Sequence, residues 1–158
     1  MAIELSKLKP HPHNSVELEQ YATEGDLAAF WLLAIDQLDN LENRTVVDLG
    51  SGNGILGLGT VFLGATRVIL VEADEEACLI SNQNTEKINQ KFSAQIETIH
   101  AIIGSQELDI PPQTDIVVMN PPWGFQTEKA DRPLLELAFS LDATAIYVLH
   151  SAKAKHVA

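Results

Sequence analysis

The sequence has 158 residues, of which 46% are hydrophobic and 20% charged, a length and balance typical of one ordinary globular domain. No apolar run approaches the roughly 20 residues of a membrane span, and the first residues lack the apolar stretch of a secretory signal, so we expect no membrane association. The single cysteine excludes a disulfide framework and a multi-cysteine zinc site, and it predicts a cytoplasmic protein. The net charge of −12 opposes binding to a phosphate backbone unless basic residues gather locally.

The chain predicts a polar lead-in followed by alternating strands and helices. Pro10 and Pro12 stand among polar residues, so residues 1–19 are expected to be rich in loops. The apolar stretch 27–38 predicts a helix. Further on, strands are predicted at 45–49, 67–71, 95–100, 115–119 and 144–149, and helices at 54–63, 74–84 and 133–141. Such alternation is typical of βαβ units and a mostly parallel sheet.

The last predicted strand is almost wholly apolar and lies close to the end of the sequence. A strand of that kind is expected to have a neighbour on each side, because an exposed apolar edge invites aggregation. We therefore expect either that further strands are lacking here or that a partner or a second copy covers this edge.

A glycine-rich loop, residues 48–54 with the sequence DLGSGNG, lies between the first predicted strand and the helix after it. Glycines let the backbone approach a ligand closely, and the following helix N-terminus offers free N–H groups. About 20 residues further on, Glu72 is placed where a carboxylate can bind ribose hydroxyls. The loop fits a dinucleotide-binding fingerprint and also resembles the loop of class I S-adenosylmethionine-dependent methyltransferases, so by itself it indicates only a nucleoside-containing cofactor.

A second motif, Asn120-Pro121-Pro122-Trp123, follows the strand predicted at 115–119. The prolines stiffen the loop and remove two N–H donors, while the aromatic ring offers a stacking surface to a planar ligand. The side-chain oxygen of Asn120 and the carbonyl of Pro121 can accept both hydrogens of an exocyclic amine, which directs its lone pair toward an electrophilic methyl group. This motif favours methyl transfer over the nicotinamide-dependent oxidoreductase that the glycine loop also fits.

Taken together, these motifs resemble the N6-adenine methyltransferases with an Asn/Asp-Pro-Pro-aromatic motif. The similarity is greatest to the archaeal and eukaryotic branch that methylates one adenosine of small-subunit ribosomal RNA. The matching segments are LEQYAT at 18–23, VDLGSGNG at 47–54, MNPPW at 119–123 and YVLH at 147–150. The resemblance implies a Rossmann-like α/β class I methyltransferase fold, mostly parallel with helices on both faces, here lacking the family's two C-terminal closing strands. It implies one domain over residues 1–158, in which 1–44 close over the cofactor and 45–158 form the core.

The resemblance also implies a set of residues that bind S-adenosylmethionine. In this sequence they are Gln20, Thr23, Asp48, Gly50, Gly52, Asn53, Glu72, Ile102 and Asn120. Gln20 and Thr23 would close over the methionine end, and Glu72 would hold the ribose. Ile102 stands where the family usually has an acidic residue facing the cofactor adenine, so only its backbone is expected to bond there.

The methyl-acceptor site implied by the resemblance consists of Asn120, Pro121, Pro122 and Trp123, with a flipped adenine stacked on Trp123. The expected substrate is structured RNA, most of all small-subunit ribosomal RNA. Basic residues near the start, near the acceptor loop and near the end of the sequence are expected to form a rim that guides the RNA backbone; they are Lys7, Lys9, Lys129, Arg132, Lys153 and Lys155. A small zinc-binding activator subunit, as in eukaryotic relatives, or self-association is expected at the sheet edge. No metal ligands are expected in the chain itself.

Three alternatives stay open at this stage. The same acceptor loop serves methyltransferases of DNA adenine or of protein glutamine. The glycine loop with Glu72 also fits a nicotinamide-dependent oxidoreductase. The chain could instead be a binding module that keeps the cofactor pocket without turnover.

Overall fold

A computed structural model describes residues 1–12, 25–104, 107–111, 113–120 and 131–149. The strands are β1 (Thr45–Leu49), β2 (Arg67–Glu72), β3 (Gln95–His100), β4 (Ile116–Met119) and β5 (Ala145–Val148). They form one sheet in the order β3-β2-β1-β4-β5, and every pairing is parallel. The helices are α1 (Ala2–Ser6), α2 (Gly25–Asp39), α3 (Ile55–Val61), α4 (Glu75–Asn89) and α5 (Asp131–Ser140). The strand order reverses between β1 and β4, and ligands of open α/β sheets bind in the crevice at such a point.

The predicted strands are confirmed to within one residue at each end. Helix α4 runs to Asn89, beyond the predicted end at 84, because Ile88 is buried one turn further along the same face. The prediction of a loop-rich lead-in is wrong for residues 2–6, which form α1. Leu5 is 1% exposed and anchors this short helix in the core, while the glycine at 25 lets α1 approach α2.

Two hydrophobic layers enclose the sheet, so its central strands are apolar on both faces. On β1, Val46 belongs to the core beneath α1, α2, α3 and α4, whereas Val47 and Leu49 belong to the core beneath α5. The alternation follows from the two-residue period of a strand. Asp48 shares the face of Val46 and therefore lies under α3.

Helix α3 approaches the sheet closely because two of its residues are glycines. A Cβ at Gly57 would stand 2.4 Å from Cδ2 of Leu70, and one at Gly59 would stand 2.3 Å from Cδ1 of Leu32. All seven residues of α3 are buried as a result. This contact sets the position of the helix N-terminus over the end of β1.

The aromatic residues of α2 divide between core and surface. Trp31 packs against the first core, whereas Phe30 is 74% exposed. The hydroxyl of Tyr147 on β5 donates a hydrogen bond to the Asp39 carboxylate at the end of α2.

In the part of the chain that the structure describes, no helix combines the length and the apolar character that crossing a bilayer requires.

Candidate functional site

The glycine-rich loop between β1 and α3 has a backbone that only glycine adopts readily. Gly50, Gly52 and Gly54 have φ angles of +70°, +57° and +87°, in the left-handed region that L side chains avoid. The backbone N–H groups of Gly50 and Ser51 both donate to the Val71 carbonyl, at 2.8 and 3.0 Å. The loop is thereby held against the carboxyl end of β2, at the edge where a ligand would lie.

The carboxylate of Glu72 joins two loops at the end of β2. Its Oε1 accepts a hydrogen bond from Gly52 N–H and its Oε2 accepts one from Asp74 N–H, each at 2.8 Å. Each carboxylate oxygen retains a second lone-pair direction, so ribose hydroxyls can still donate to it. The side chain that the sequence predicted for ribose binding is therefore held beside the glycine loop, and the ribose contact itself stays a prediction.

Asp48 is a buried acid directly beneath this loop, with 1% of its surface exposed. Its Oδ2 accepts a hydrogen bond from Gly57 N–H at 2.8 Å, while its Oδ1 has no partner among the described residues. Burial raises the pKa of this carboxyl to about 7, against the lowering effect of the Gly57 bond, and the negative charge of Glu72 raises it further. The hydroxyl of Ser51 is likewise buried and unpartnered within the described part of the chain. Two such atoms beside one loop indicate a place where a polar ligand or a water molecule belongs.

Asn120 lies at the same edge as the glycine loop. Leu49 of β1 is the register partner of Met119 of β4, so Asn120 follows in line with Gly50. Leu149 N–H donates to the Met119 carbonyl at 2.9 Å and holds the end of β4 against β5. The structure thus brings together Asn120 and the glycine loop, as the sequence predicted. Gln20, Thr23, Pro121, Pro122 and Trp123 lie outside the described residues.

The two remaining predicted cofactor residues have different surroundings. Ile102 follows β3 with its side chain 62% exposed, near the end of β2, where Ala101 N–H donates to the Glu72 carbonyl at 3.0 Å. Asn53 is 6% exposed, and its amide is used by the protein: Nδ2 donates to the Lys9 carbonyl at 2.9 Å, and Oδ1 accepts from Ile55 N–H at 3.3 Å. Direct cofactor contacts by these two residues stay predictions.

Sequence reasoning missed a group of residues that contact this loop from the N-terminal segment and α4. They are Lys9, His11 and Asn84, and the contact between Lys9 and Asn84 joins positions 75 apart in the chain. No local sequence pattern identifies these residues as part of the site, because they come close to the glycine loop only when the N-terminal segment packs on α4.

Cys78 is buried at the start of α4, and burial, followed by the charges of Glu72, Asp74 and Glu75, raises the pKa of its thiol to about 11. Within the described ranges, no group of three or more His, Cys, Asp or Glu side chains could hold a metal ion.

The parallel sheet, the glycine loop after β1 and the carboxylate that ends β2 define the fold of class I methyltransferases, as the resemblance implied. The predicted fold class is confirmed by similarity to solved structures. The crystal structure of a proposed RNA methyltransferase, PH1948 of Pyrococcus horikoshii, is 38% identical with a TM-score of 0.79 and covers 96% of this chain and 73% of that one.

Residues 27–158 match the family described as Conserved hypothetical protein 95, and the chain belongs to that family. Uncharacterized protein MJ0284 of Methanocaldococcus jannaschii is 32% identical over 155 residues, which are 93% of this chain and 68% of that protein. The rRNA N(6)-adenosine-methyltransferase METTL5 of Danio rerio is 32% identical over 135 residues, covering 84% of this chain. This chain spans 64% of the length of that METTL5.

Proposed function

We propose that this protein is an S-adenosylmethionine-dependent methyltransferase that acts on the N6 amine of an adenosine in RNA, most of all ribosomal RNA. The observation that carries the proposal is the juxtaposition of Asn120 with the glycine loop, in register across β1 and β4. A cofactor loop and an acceptor-site residue at one edge are what methyl transfer needs. The similarity to a ribosomal RNA N6-adenosine methyltransferase supports the choice of adenosine and of RNA.

The residues at this edge fit S-adenosylmethionine, which supplies an electrophilic methyl group when bound. Glu72 would accept hydrogen bonds from the ribose hydroxyls, since its carboxylate is already held in place by two backbone N–H groups. Asp48 Oδ1 and Ser51 Oγ are buried polar atoms that a cationic, amine-bearing ligand or its water molecules would satisfy. Among the described residues, a Cβ at Gly50 would meet only Leu134, at 4.0 Å, which leaves room for a ligand on that side of the loop.

On the acceptor side, Asn120 would orient the nucleophile. Its side-chain oxygen and the Pro121 carbonyl would accept the two amine hydrogens, and Trp123 would stack on the base. Bound S-adenosylmethionine would supply the methyl group to the oriented amine, and the methylated nitrogen would release its extra proton to solvent. Because that nitrogen is positively charged before it releases the proton, catalysis rests on orientation and exclusion of water rather than on a strong base.

The net charge of −12 opposes binding to RNA, but a row of lysines provides positive charge locally. Four of the chain's ten basic residues come together on the side formed by α1, the segment after it and the last turns of α4. We name this row the lysine ridge: Lys7, Lys9, Lys87 and Lys91. Lys87 Nζ donates to the Lys7 carbonyl at 3.2 Å, and Lys9 Nζ donates to Gln83 Oε1 at 2.6 Å. Lys7 and Lys91 both pair with the Glu4 carboxylate, so the ridge sets four positive charges beside this one negative charge. The surplus of positive charge supports binding to a phosphate backbone despite the overall charge of −12. Of the other residues of the predicted basic rim, Lys129, Lys153 and Lys155 lie outside the described residues.

The partner at the sheet edge is a further part of this proposal. Among the described residues β5 pairs with β4 alone, and all four of its residues are half-buried. A small zinc-binding activator subunit or a second copy of the chain would extend the sheet there. A cytoplasmic location, expected from the single cysteine, likewise stays a prediction.

The first test is calorimetric titration with S-adenosylhomocysteine, with NADH as the control ligand. Micromolar binding of the first and none of the second is the expected result. Methyl transfer from radiolabelled S-adenosylmethionine is then compared on ribosomal RNA, duplex DNA and a glutamine-containing translation-factor peptide. Binding of NADH alone would contradict the proposal, and transfer only to DNA or peptide would contradict the RNA assignment.

The variant Asn120→Ala separates catalysis from binding. We expect it to lose turnover while its affinity for S-adenosylhomocysteine persists, because the residue acts on the acceptor. Equal loss of both would mean that Asn120 has a structural role.

A further inference from the structure

The side-chain amide of Asn84 on α4 is fully buried, and its oxygen and both of its N–H groups form hydrogen bonds with neighbouring backbone groups. Its Oδ1 accepts a hydrogen bond from Lys9 N–H at 2.8 Å. Its Nδ2 donates to the Lys9 carbonyl at 3.0 Å and to the Asn53 carbonyl at 2.9 Å. Because an N–H can only donate and a carbonyl can only accept, the orientation of this amide is determined by its surroundings.

The network closes through the glycine loop. Asn53 Nδ2 donates to the same Lys9 carbonyl at 2.9 Å, so that carbonyl accepts two hydrogen bonds, one from α4 and one from the loop. Three separate parts of the chain therefore meet at one residue of the N-terminal segment. A buried network in which each member is satisfied rigidifies the elements it joins.

The same segment lies directly on the loop. A Cβ added at Gly52 would stand 3.1 Å from Cδ2 of the His11 ring, which means that the imidazole packs against the loop backbone. We name Lys9–Pro12 the strap. Leu8, immediately before it, is 8% exposed in the first core and anchors the start of the strap.

We propose that the strap forms a wall of the cofactor site and that Asn84 is the positioning residue that latches it to the glycine loop. The inference rests on the proposed function for the identity of the ligand, a sulfonium nucleoside. The family resemblance implied only that residues 1–44 as a whole close over the cofactor; it named neither a residue of the strap nor Asn84 as part of the cofactor site.

The physical reason is preorganisation. The strap belongs to no helix or strand, so its conformation depends on the contacts that tie it down. With the latch in place, the conformational entropy lost in ordering the strap is offset during folding. Without the latch, that entropy loss opposes ligand binding, and the carbonyls of Lys9 and Asn53 each lose a hydrogen-bond donor.

The experiment measures the affinity of the full chain for S-adenosylhomocysteine by calorimetry in three variants. Asn84→Asp keeps the shape and the acceptor for Lys9 N–H, and in its ionised form it replaces both donors by an oxygen that repels the Lys9 and Asn53 carbonyls, so it breaks these hydrogen bonds without creating a cavity. His11→Ala leaves the latch intact and removes only the ring that packs on Gly52. Val61→Ala, at the opposite end of α3 from the loop, is the control for general loss of stability.

We expect Asn84→Asp to raise the dissociation constant by about tenfold or more, the order of loss when buried hydrogen bonds that organise a site are broken. His11→Ala should also weaken binding, while Val61→Ala lowers the melting temperature and leaves the dissociation constant within about twofold of the wild type. In ¹⁵N-labelled wild-type protein, the backbone amide signals of Lys9 and His11 should shift on addition of the ligand, which a purely structural role for Asn84 does not predict.

The outcomes distinguish the two proposals. If the wild type binds no S-adenosylhomocysteine, the proposed function fails. If the wild type binds it, but Asn84→Asp binds equally well and the strap signals do not move, the cofactor assignment stands and the strap inference is overturned.

Discussion

Asp48 is the buried acid beneath the glycine loop, and its replacement by asparagine tests how the site is built. The asparagine side chain has nearly the same shape and retains an oxygen that can accept from Gly57 N–H, the one hydrogen bond that the Asp48 carboxylate makes among the described residues. The substitution therefore removes the ionisable group while preserving the packing. Its effect on stability should depend strongly on pH.

The magnitude follows from the pKa of this carboxyl, about 7 in the folded protein against an ordinary value of 3.8. Each tenfold change in proton affinity corresponds to about 1.4 kcal/mol, so the ionised carboxylate costs about 4 kcal/mol of stability at pH 8. Between pH 4 and 7 the folded protein holds a proton that the unfolded chain has released. The stability of the wild type, relative to the variant, therefore falls as the pH rises through that range.

Urea denaturation of the wild type and Asp48→Asn between pH 4 and 8 measures this difference. We expect the variant to be the more stable protein at pH 8, by up to about 4 kcal/mol, and the two to converge near pH 4. Asp142→Asn, which neutralises an exposed aspartate, is the control and should show no such trend. A difference that does not change with pH, or a wild type that is more stable than the variant at pH 8, would refute the reasoning.

Three further predictions concern the sheet contact, the thiol and the charged surface. Gly57→Ala should lower the unfolding free energy by about 1–3 kcal/mol in denaturant titrations, because its Cβ would stand 2.4 Å from a buried leucine methyl; an unchanged value would contradict the packing of α3. Cys78 should react with iodoacetamide at pH 8 roughly two orders of magnitude more slowly than a free cysteine, because its pKa is raised to about 11; a rate equal to that of the unfolded chain would contradict its burial. Lys87→Glu should weaken RNA binding several-fold and reduce the salt dependence of log K by about one, whereas the same charge change in Arg67→Glu, at the amino end of β2, should do neither.

Much of the fold could be predicted because its signals are local. The β-branched, apolar runs that become β1 and β2 identify buried strands, and the glycines between β1 and α3 identify a loop with a backbone that other residues avoid. The same reasoning located Glu72 and Asn120 at strand ends, and parallel strands bring their carboxyl ends to one edge. The lead-in was misjudged, since the prolines at 10 and 12 are conspicuous whereas α1 is a single short turn of helix that tertiary contacts stabilise.

Local signals along the chain predict the alternation of elements, the glycine loop, and the residue types at the strand ends. The packing of the folded chain, in contrast, brings Asn84 to Lys9 and Asn53, and places Lys7 beside Lys87 of α4. Hydrophobic periodicity and turn-forming residues depend on neighbours only a few positions away, so they can be recognised from the sequence. Contacts between residues 75 positions apart arise from the packing of whole elements, and one residue's neighbours do not reveal which distant partner it will meet.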